Sequence, residues 1–312
     1  MKIVLLGGGG FIGSAIVERL IGEDVQMRIF ERPDVRPYRP FPEGKTEWIS
    51  GDLMSTHDID RAIDGVETVI HLASTTTPKS SHEDMIYDME SNLAPSLKVL
   101  KAMTSKRIQK IIYISSGGTV YGNPVYLPID EKHPTEPRVS YGITKLAIEK
   151  YLQMYESTHG IKVVILRVTN PFGERQRLKN AQGAVGIFIN KILLGQEIEI
   201  WGDGSTVRDY LYVGDVANAF ASAIRYNGGK TVFNISSGIG ISLNDLIDKI
   251  EEALHIKAIR RYTEVRPFDV QKNILDNTLA RQELGWSPKT TFERGIIKTA
   301  DWLKALHPDK MS

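Results

Sequence analysis

The sequence predicts an α/β protein: a doubly wound parallel sheet followed by a smaller, mixed α/β part. Three observations carry this. Apolar runs alternate with helical patterns through the first half, as repeated β-α-β units do. A glycine-rich turn, LLGGGGFIG, joins the first apolar run to the first helical one. After about residue 168 the alternation gives way to short apolar segments mixed with helices.

In chain order, KIVLL (2–6), VQMRIF (25–30), TEWIS (46–50), VETVIHLA (66–73), IQKIIYIS (108–115) and IKVVILRV (161–168) read as strands. Ile111, Ile112, Tyr113 and Ile114 are apolar in succession, the mark of a strand buried on both faces. FIGSAIVERLIG, DIDRAID, 83–104 and 141–158 read as helices. The proline-rich RPDVRPYRPFPEG (32–44) is predicted as an irregular loop. In the second half EIEIWG, RDYLYV and TVFNIS are short apolar segments among helices near 185–194, 214–226, 243–254 and 293–305. No flexible linker separates the halves. The expected division is therefore 1–168, a Rossmann-like dinucleotide-binding part, and 169–312, a mainly substrate-binding part with some segments returning to the first core.

The 312 residues are 41% apolar and 25% charged, with 39 basic and 38 acidic side chains. That balance, without a charge block, argues against nucleic acid or a membrane surface as partner. The absence of cysteine removes disulfides and thiolate catalysis, and fits a reducing cytoplasm. MKIVLL is too short an apolar start for a signal peptide, and no run approaches a membrane span. Histidines 57, 71, 82, 133, 159, 255 and 307 lack ligand spacing, so no catalytic metal is expected.

Gly8, Gly10 and Gly13 satisfy G-x-G-x-x-G, and Gly7, Gly10 and Gly13 the related G-x-x-G-x-x-G. Such glycines allow a tight turn and bring backbone amides against a pyrophosphate at a helix N-terminus. Glu31 follows Gly10 by 21 residues, where a carboxylate accepts from the ribose hydroxyls and repels a 2′-phosphate. NAD is therefore expected over NADP, with Arg32 as the residue able to blunt the choice. Asp52, after the third strand, could bond adenine or cap the helix near residue 58.

Two Tyr-x-x-x-Lys patterns occur. Tyr226 and Lys230 frame YNGGK, a turn after a helix, so their side chains need not align. Tyr141 and Lys145 open a helical stretch and share one of its faces. There the ammonium is expected to lower the phenol pKa and make Tyr141 a base nearer neutrality.

Taken with SSGGTVYG (115–122) at the end of the fifth strand, these features resemble the extended short-chain dehydrogenase/reductase family, most closely its nucleotide-sugar epimerases of the UDP-galactose 4-epimerase type. HLAS (71–74), LRVTNPFGERQ (166–176), IWGDGSTVRDYLYVGDVANA (200–219), RPFD (266–269) and LGW (284–286) extend the resemblance through nearly the whole chain. It implies NAD as cofactor, with Phe11, Ile12, Leu53, Leu72, Ala73, Ser74 and Ser115 beside it. It implies Tyr141 as acid/base and Lys145 on the nicotinamide ribose. Asn170, Arg175, Arg208 and Arg266 are expected at the substrate, the last two on the diphosphate, for which guanidinium forks suit charge and shape. The other reading of Arg208 is a surface ion pair with Asp209. Tyr121, Tyr212, Asp215 and His71 are expected to be structural. The family also implies a homodimer through the helices at 83–104 and 141–158, and a place in polysaccharide biosynthesis.

Dehydratases of the family carry an Asp-Glu pair before Val-Tyr-Gly and decarboxylases a Glu. Gly118 and Thr119 stand there, so neither activity is expected. Epimerases place a hydroxyl where this chain has Gly117, and Thr119 or Ser116 is expected to replace it. The reading is an NAD-dependent 4-epimerase of a UDP-sugar. The alternatives are an NAD(P)H-dependent 4-ketoreductase of a nucleotide-linked 6-deoxy-4-keto sugar, and an inactive dinucleotide sensor. Asn273, aligned with a bulky pocket residue, is expected to leave room for an N-acetyl group, so UDP-GlcNAc and UDP-GalNAc should serve at least as well as UDP-Glc and UDP-Gal.

Overall fold

All six strands expected in the first half form, and they pair side by side in parallel. They are β1 (Lys2–Leu6), β2 (Gln26–Glu31), β3 (Thr46–Ser50), β4 (Thr68–His71), β5 (Lys110–Ser116) and β6 (Lys162–Val168). The computed structural model describes residues 1–42, 44–176, 178, 183–264 and 270–306. Between these strands run α1 (Phe11–Leu20), α2 (Thr56–Ala62), α3 (Pro78–Glu83), α4 (Met85–Asp88), α5 (Ala94–Lys106) and α6 (Ser140–His159). The rest is β7 (Asn170–Phe172), α7 (Ala184–Leu193), β8 (Glu197–Trp201), β9 (Val207–Tyr212), α8 (Val213–Arg225), β10 (Val232–Ile235), β11 (Gly240–Ser242), α9 (Leu243–Leu254), β12 (Ile259–Thr263), β13 (Lys272–Asn273), α10 (Thr278–Leu284) and α11 (Phe292–Leu306).

The main sheet runs β3-β2-β1-β4-β5-β6-β10. Its seventh strand, β10, comes from the second half and pairs in parallel with β6, while α8 packs on α1. The strand order reverses between β1 and β4, and that reversal opens a crevice at their carboxyl ends. Side chains alternate between two cores. Ile3 and Leu5 of β1 join the α1 and α8 face, and Val4 and Leu6 the face of α2, α5 and α6. In β5, residues Ile111 to Ser115 are all buried, as a central strand requires. Each fully buried isoleucine there stabilises the fold by about 1.5–3 kcal/mol.

The second half supplies two small sheets. One joins β7, β9, β11 and β13; the other is the parallel pair β8 and β12.

One expectation is corrected. The single helix read over 83–104 is broken, because Asp84 is extended (φ −143°, ψ 91°) and caps α4 by accepting from the Tyr87 amide. A π turn, Met89–Leu93, then joins α4 to α5. Residue periodicity does not reveal a single inserted residue in a helix.

Candidate active site

The crevice at the switch point has a volume of about 630 Å3 and is lined from both sides of the strand reversal. Gly7, Gly10 and Gly13 form its floor in the G-x-x-G-x-x-G frame. Gly7 has φ +88°, and a Cβ there would lie 2.8 Å from the Ala73 amide nitrogen. A Cβ on Gly13 would come within 2.5 Å of the Gly7 carbonyl oxygen, so this glycine lets α1 seat on the strand. Gly8 packs downward on Ile29 and Leu5. Gly10 is the N-cap of α1 and has no side chain to occupy the first-turn amides, which suits an anionic diphosphate.

Glu31 ends β2 at the rim, where its carboxylate accepts from the Gly9 amide (3.0 Å) and the Arg32 amide (3.1 Å). The Arg32 guanidinium turns instead toward Asp34, at 3.8 Å. The Glu31 carboxylate is thus held in place at the rim of the crevice. Asp52 and Leu53 line the same end. Asp52 accepts from the Met54 amide (2.8 Å), while Ser55 caps α2, so Asp52 is not that helix's cap. Phe11, Ile12, Leu72, Ala73 and Ser74 complete the wall. With this glycine floor and fixed acid, the site fits a dinucleotide.

Tyr141, Lys145, Ser115 and Ser116 border the other end. Lys145 is buried and donates to the Ile114 carbonyl (3.1 Å), its ammonium over the rings of Tyr113 (5.0 Å) and Tyr141 (5.5 Å). Burial lowers the Lys145 pKa to about 8 against the opposing pull of Asp88 and Glu149. Burial likewise pushes the Tyr141 phenol up to about 12, with Asp88 adding to the rise and a hydrogen bond from Ser74 opposing it. The expectation that Lys145 lowers this phenol is therefore corrected. Desolvation dominates this shift, and the ammonium, held by a carbonyl, stands above the ring face rather than at the phenol oxygen.

The remaining expected residues separate. The Ser115 hydroxyl donates to Glu149, which is bound bidentately by Arg167, the shortest contact being 2.6 Å. Ser115 thus joins a buried ion pair under the site. Ser116 lines the crevice, whereas Thr119 does not, its hydroxyl being buried without a partner among the described residues. Gly117 has a steric cause: a Cβ there would lie 2.4 Å from Leu275 Cδ1. Leu275 fills the space a Ser or Thr side chain would need.

Asn170 donates to the Asp209 carbonyl (2.9 Å), and Arg208 lies on β9 between β11 and β13. Asp209 is fully buried and holds the Ser237–Gly238 turn, which removes the surface-pair reading of Arg208. Arg175 turns away from the crevice. With φ +70°, it bonds Ser14 (2.9 Å) and Glu18 (2.8 Å) on α1 and stacks on Tyr38. Asn273 is 2% exposed, donates to the Gly117 carbonyl (3.2 Å) and does not line the crevice. Its small size therefore gives no room for an N-acetyl group. Arg266 lies outside the described residues.

Tyr226 stands far from this chemistry, bonding Glu283 and the Lys230 amide, both at 2.9 Å. Tyr121 donates to Asn234 (2.7 Å), Tyr212 to Glu174 (2.8 Å), and Asp215 accepts from the Lys289 and Thr290 amides. Burial takes the His71 pKa down to about 3, so this side chain beside the crevice is neutral. Sequence reasoning missed Asp88, Asn92, Glu149 and Leu275. Only Glu149 carried a usable sign, its place four residues after Lys145 on one helix face. Among the described residues no group of His, Asp and Glu is arranged to hold a metal, and no helix is long and apolar enough to cross a membrane.

Residues 3–236 match the family model described as the NAD dependent epimerase/dehydratase family. The crystal structure of the Thermotoga maritima UDP-glucose 4-epimerase with UDP-glucose superposes with a TM-score of 0.92 at 32% identity, covering 98% of this chain and 99% of that one. The Thermus thermophilus UDP-glucose 4-epimerase in complex with NAD gives a TM-score of 0.89 at 31% identity, over 97% and 99% of the two chains. The dTDP-4-dehydro-6-deoxyglucose reductase of Escherichia coli is 33% identical over 95% of each chain. By this match and these likenesses, the chain belongs to the NAD dependent epimerase/dehydratase family.

Proposed function

We propose that the protein is an NAD-dependent 4-epimerase of a UDP-sugar. The observation that carries this is one crevice in which Tyr141, Ser116 and Lys145 face the dinucleotide floor, with Gly118 and Thr119 where a dehydratase would need carboxylates. NAD, when bound, accepts hydride from C4 of the sugar and returns it to the opposite face of the 4-ketone. Tyr141 takes the proton of the 4-hydroxyl as the C4–H bond breaks, and gives it back when the ketone is reduced. Ser116 hydrogen-bonds the same oxygen, the task Gly117 cannot perform. Lys145 holds the nicotinamide ribose. Asn170, Arg208 and Arg266 bind the nucleotide-sugar, the arginines at its diphosphate.

The protein works as a homodimer in this reading. Met85, Ile86, Tyr87 and Met89 project from α4 and the π turn, and Ile143, Tyr151 and Met154 from the neighbouring α6; all are exposed. Such an apolar face on adjacent helices suits a second copy.

Each of UDP-Glc, UDP-Gal, UDP-GlcNAc and UDP-GalNAc, incubated with the protein and no reduced cofactor, should be followed by NMR for its C4 epimer. Interconversion of at least one pair without net NADH is expected. No interconversion in any pair, with steady NAD(P)H consumption on a 4-keto-6-deoxy nucleotide sugar, would show a ketoreductase instead.

A further inference from the structure

We propose that Asp88 is the positioning residue for the Tyr141–Lys145 pair: its carboxylate fixes the start of α6 and supplies the negative charge that both side chains face. The inference rests on the reading of Tyr141 as acid/base. Asp88 ends α4, is fully buried, and has no ion pair among the described residues. A buried carboxylate without a cation needs donors. One oxygen accepts from the Thr76 hydroxyl and from Asn92 Nδ2 (3.2 Å). The other accepts from the hydroxyls of Ser140 (2.8 Å) and Thr144 (2.7 Å).

Those last two donors decide its role. Ser140 immediately precedes Tyr141, and Thr144 immediately precedes Lys145. A single carboxylate therefore sets the register of both reactive side chains against the crevice. The other half of the network leads to the crevice wall. Asn92 also bonds the Thr76 hydroxyl (3.0 Å) and accepts from the Thr75 amide (2.9 Å), and Thr75, Thr76 and Asn92 all line the crevice. The π turn between Asp88 and Asn92 is what turns both toward one loop.

The charges around the pair leave Asp88 dominant. Lys145 faces Asp88 and Glu149, with the neutral Tyr113, Tyr141 and His71 beside it. Glu149 is compensated by its bidentate contact with Arg167. Tyr141 faces Asp88, Ser74 and Tyr113, and the Ser81 hydroxyl accepts from its amide (3.0 Å). Asp88 raises the pKa of both Tyr141 and Lys145, so removing its charge should ease proton loss from both.

The test is the pH profile of kcat for UDP-sugar epimerisation at saturating NAD, in the wild type and in Asp88→Asn, Asp88→Glu and Thr144→Val. Asp88→Asn should move both limbs of the profile together to lower pH, by about one unit, because Asp88 raises the pKa of both groups. Asp88→Glu should bring both limbs back toward wild type. Thr144→Val keeps the carboxylate but removes a hydroxyl that screens it, and should move both limbs slightly to higher pH. A lower maximum with unmoved limbs in Asp88→Asn would leave only a structural role and overturn the proposal. If Asp88→Asn does not fold, unmoved limbs in Thr144→Val overturn it. Tyr141→Phe separates the two levels. Retained activity there would remove the acid/base reading itself, whereas an inactive Tyr141→Phe beside unmoved limbs sinks only the role of Asp88.

Discussion

Two tyrosine–lysine pairs in this chain have the same four-residue spacing and opposite surroundings. Tyr141 and Lys145 begin α6, on one helix face, where Lys145 is buried and the phenol borders the dinucleotide crevice. Tyr226 is the C-cap of α8, already extended (φ −74°, ψ 129°), and Lys230 is exposed beyond a two-glycine turn. The Tyr226 hydroxyl tethers that turn by accepting from the Lys230 amide. Spacing alone therefore says little. What sets the first pair apart is a continuous helix beneath it, a sheet edge in front of it and the buried carboxylate of Asp88 beside it.

The largest expected effect separates the pairs outright. Tyr141→Phe should reduce kcat for epimerisation by about 10²–10⁴-fold, the usual range for losing a general acid/base. Fold and NAD affinity should stay, because the ring packing is kept. Circular dichroism, NAD titration and the NMR assay together check it, and a fall of less than about threefold would dissolve the contrast between the two sites.

A smaller effect tests the burial of Lys145. Its pKa of about 8 lies below the ordinary lysine value near 10.4. Below pH 8 both the folded and the unfolded chain hold this proton, so its cost is constant. Between about pH 8 and 10 the unfolded chain keeps a proton that the folded one has released, so stability rises with pH, by at most about 1.4 kcal/mol per unit. Denaturant unfolding of wild type and Lys145→Met should show their difference shifting toward wild type over that window and flat below it. A parallel pair of curves would mean that Lys145 keeps its proton in the folded state through pH 10.

Much of the main sheet was legible because period and turn chemistry are local properties. Thr46–Ser50 and the Gly7–Gly13 turn follow from adjacent residues, and β5 from an unbroken apolar run. Positions whose meaning depends on a distant partner were not legible. A Cβ on Gly117 would meet the end of the Leu275 side chain, 158 residues later, so a hydroxyl-bearing residue there requires that leucine to shift. Arg175 has the right chemistry for a diphosphate, yet Glu18 and Ser14 take its guanidinium. Asp88 resembled any helical aspartate until Ser140 and Thr144 were brought to it across more than 50 residues. The dinucleotide side was read from local rules, and the substrate side from resemblance.

The smallest effect belongs to the second pair. In Tyr226→Phe the ring remains in edge contact with Phe233, 5.3 Å between centroids, so the packing around it is unchanged. What disappears is one hydroxyl that donates to Glu283 and accepts from the Lys230 amide, both at 2.9 Å. Glu283 and that amide belong to residues that reach water, so neither is left as a buried, unpaired group, and the loss should be about 1 kcal/mol of stability. Because Tyr226 sits at the opposite end of α8 from β9 and lines no part of the dinucleotide crevice, kcat and KM should match wild type. A tenfold loss of kcat with an unchanged fold would make the bare four-residue spacing meaningful after all.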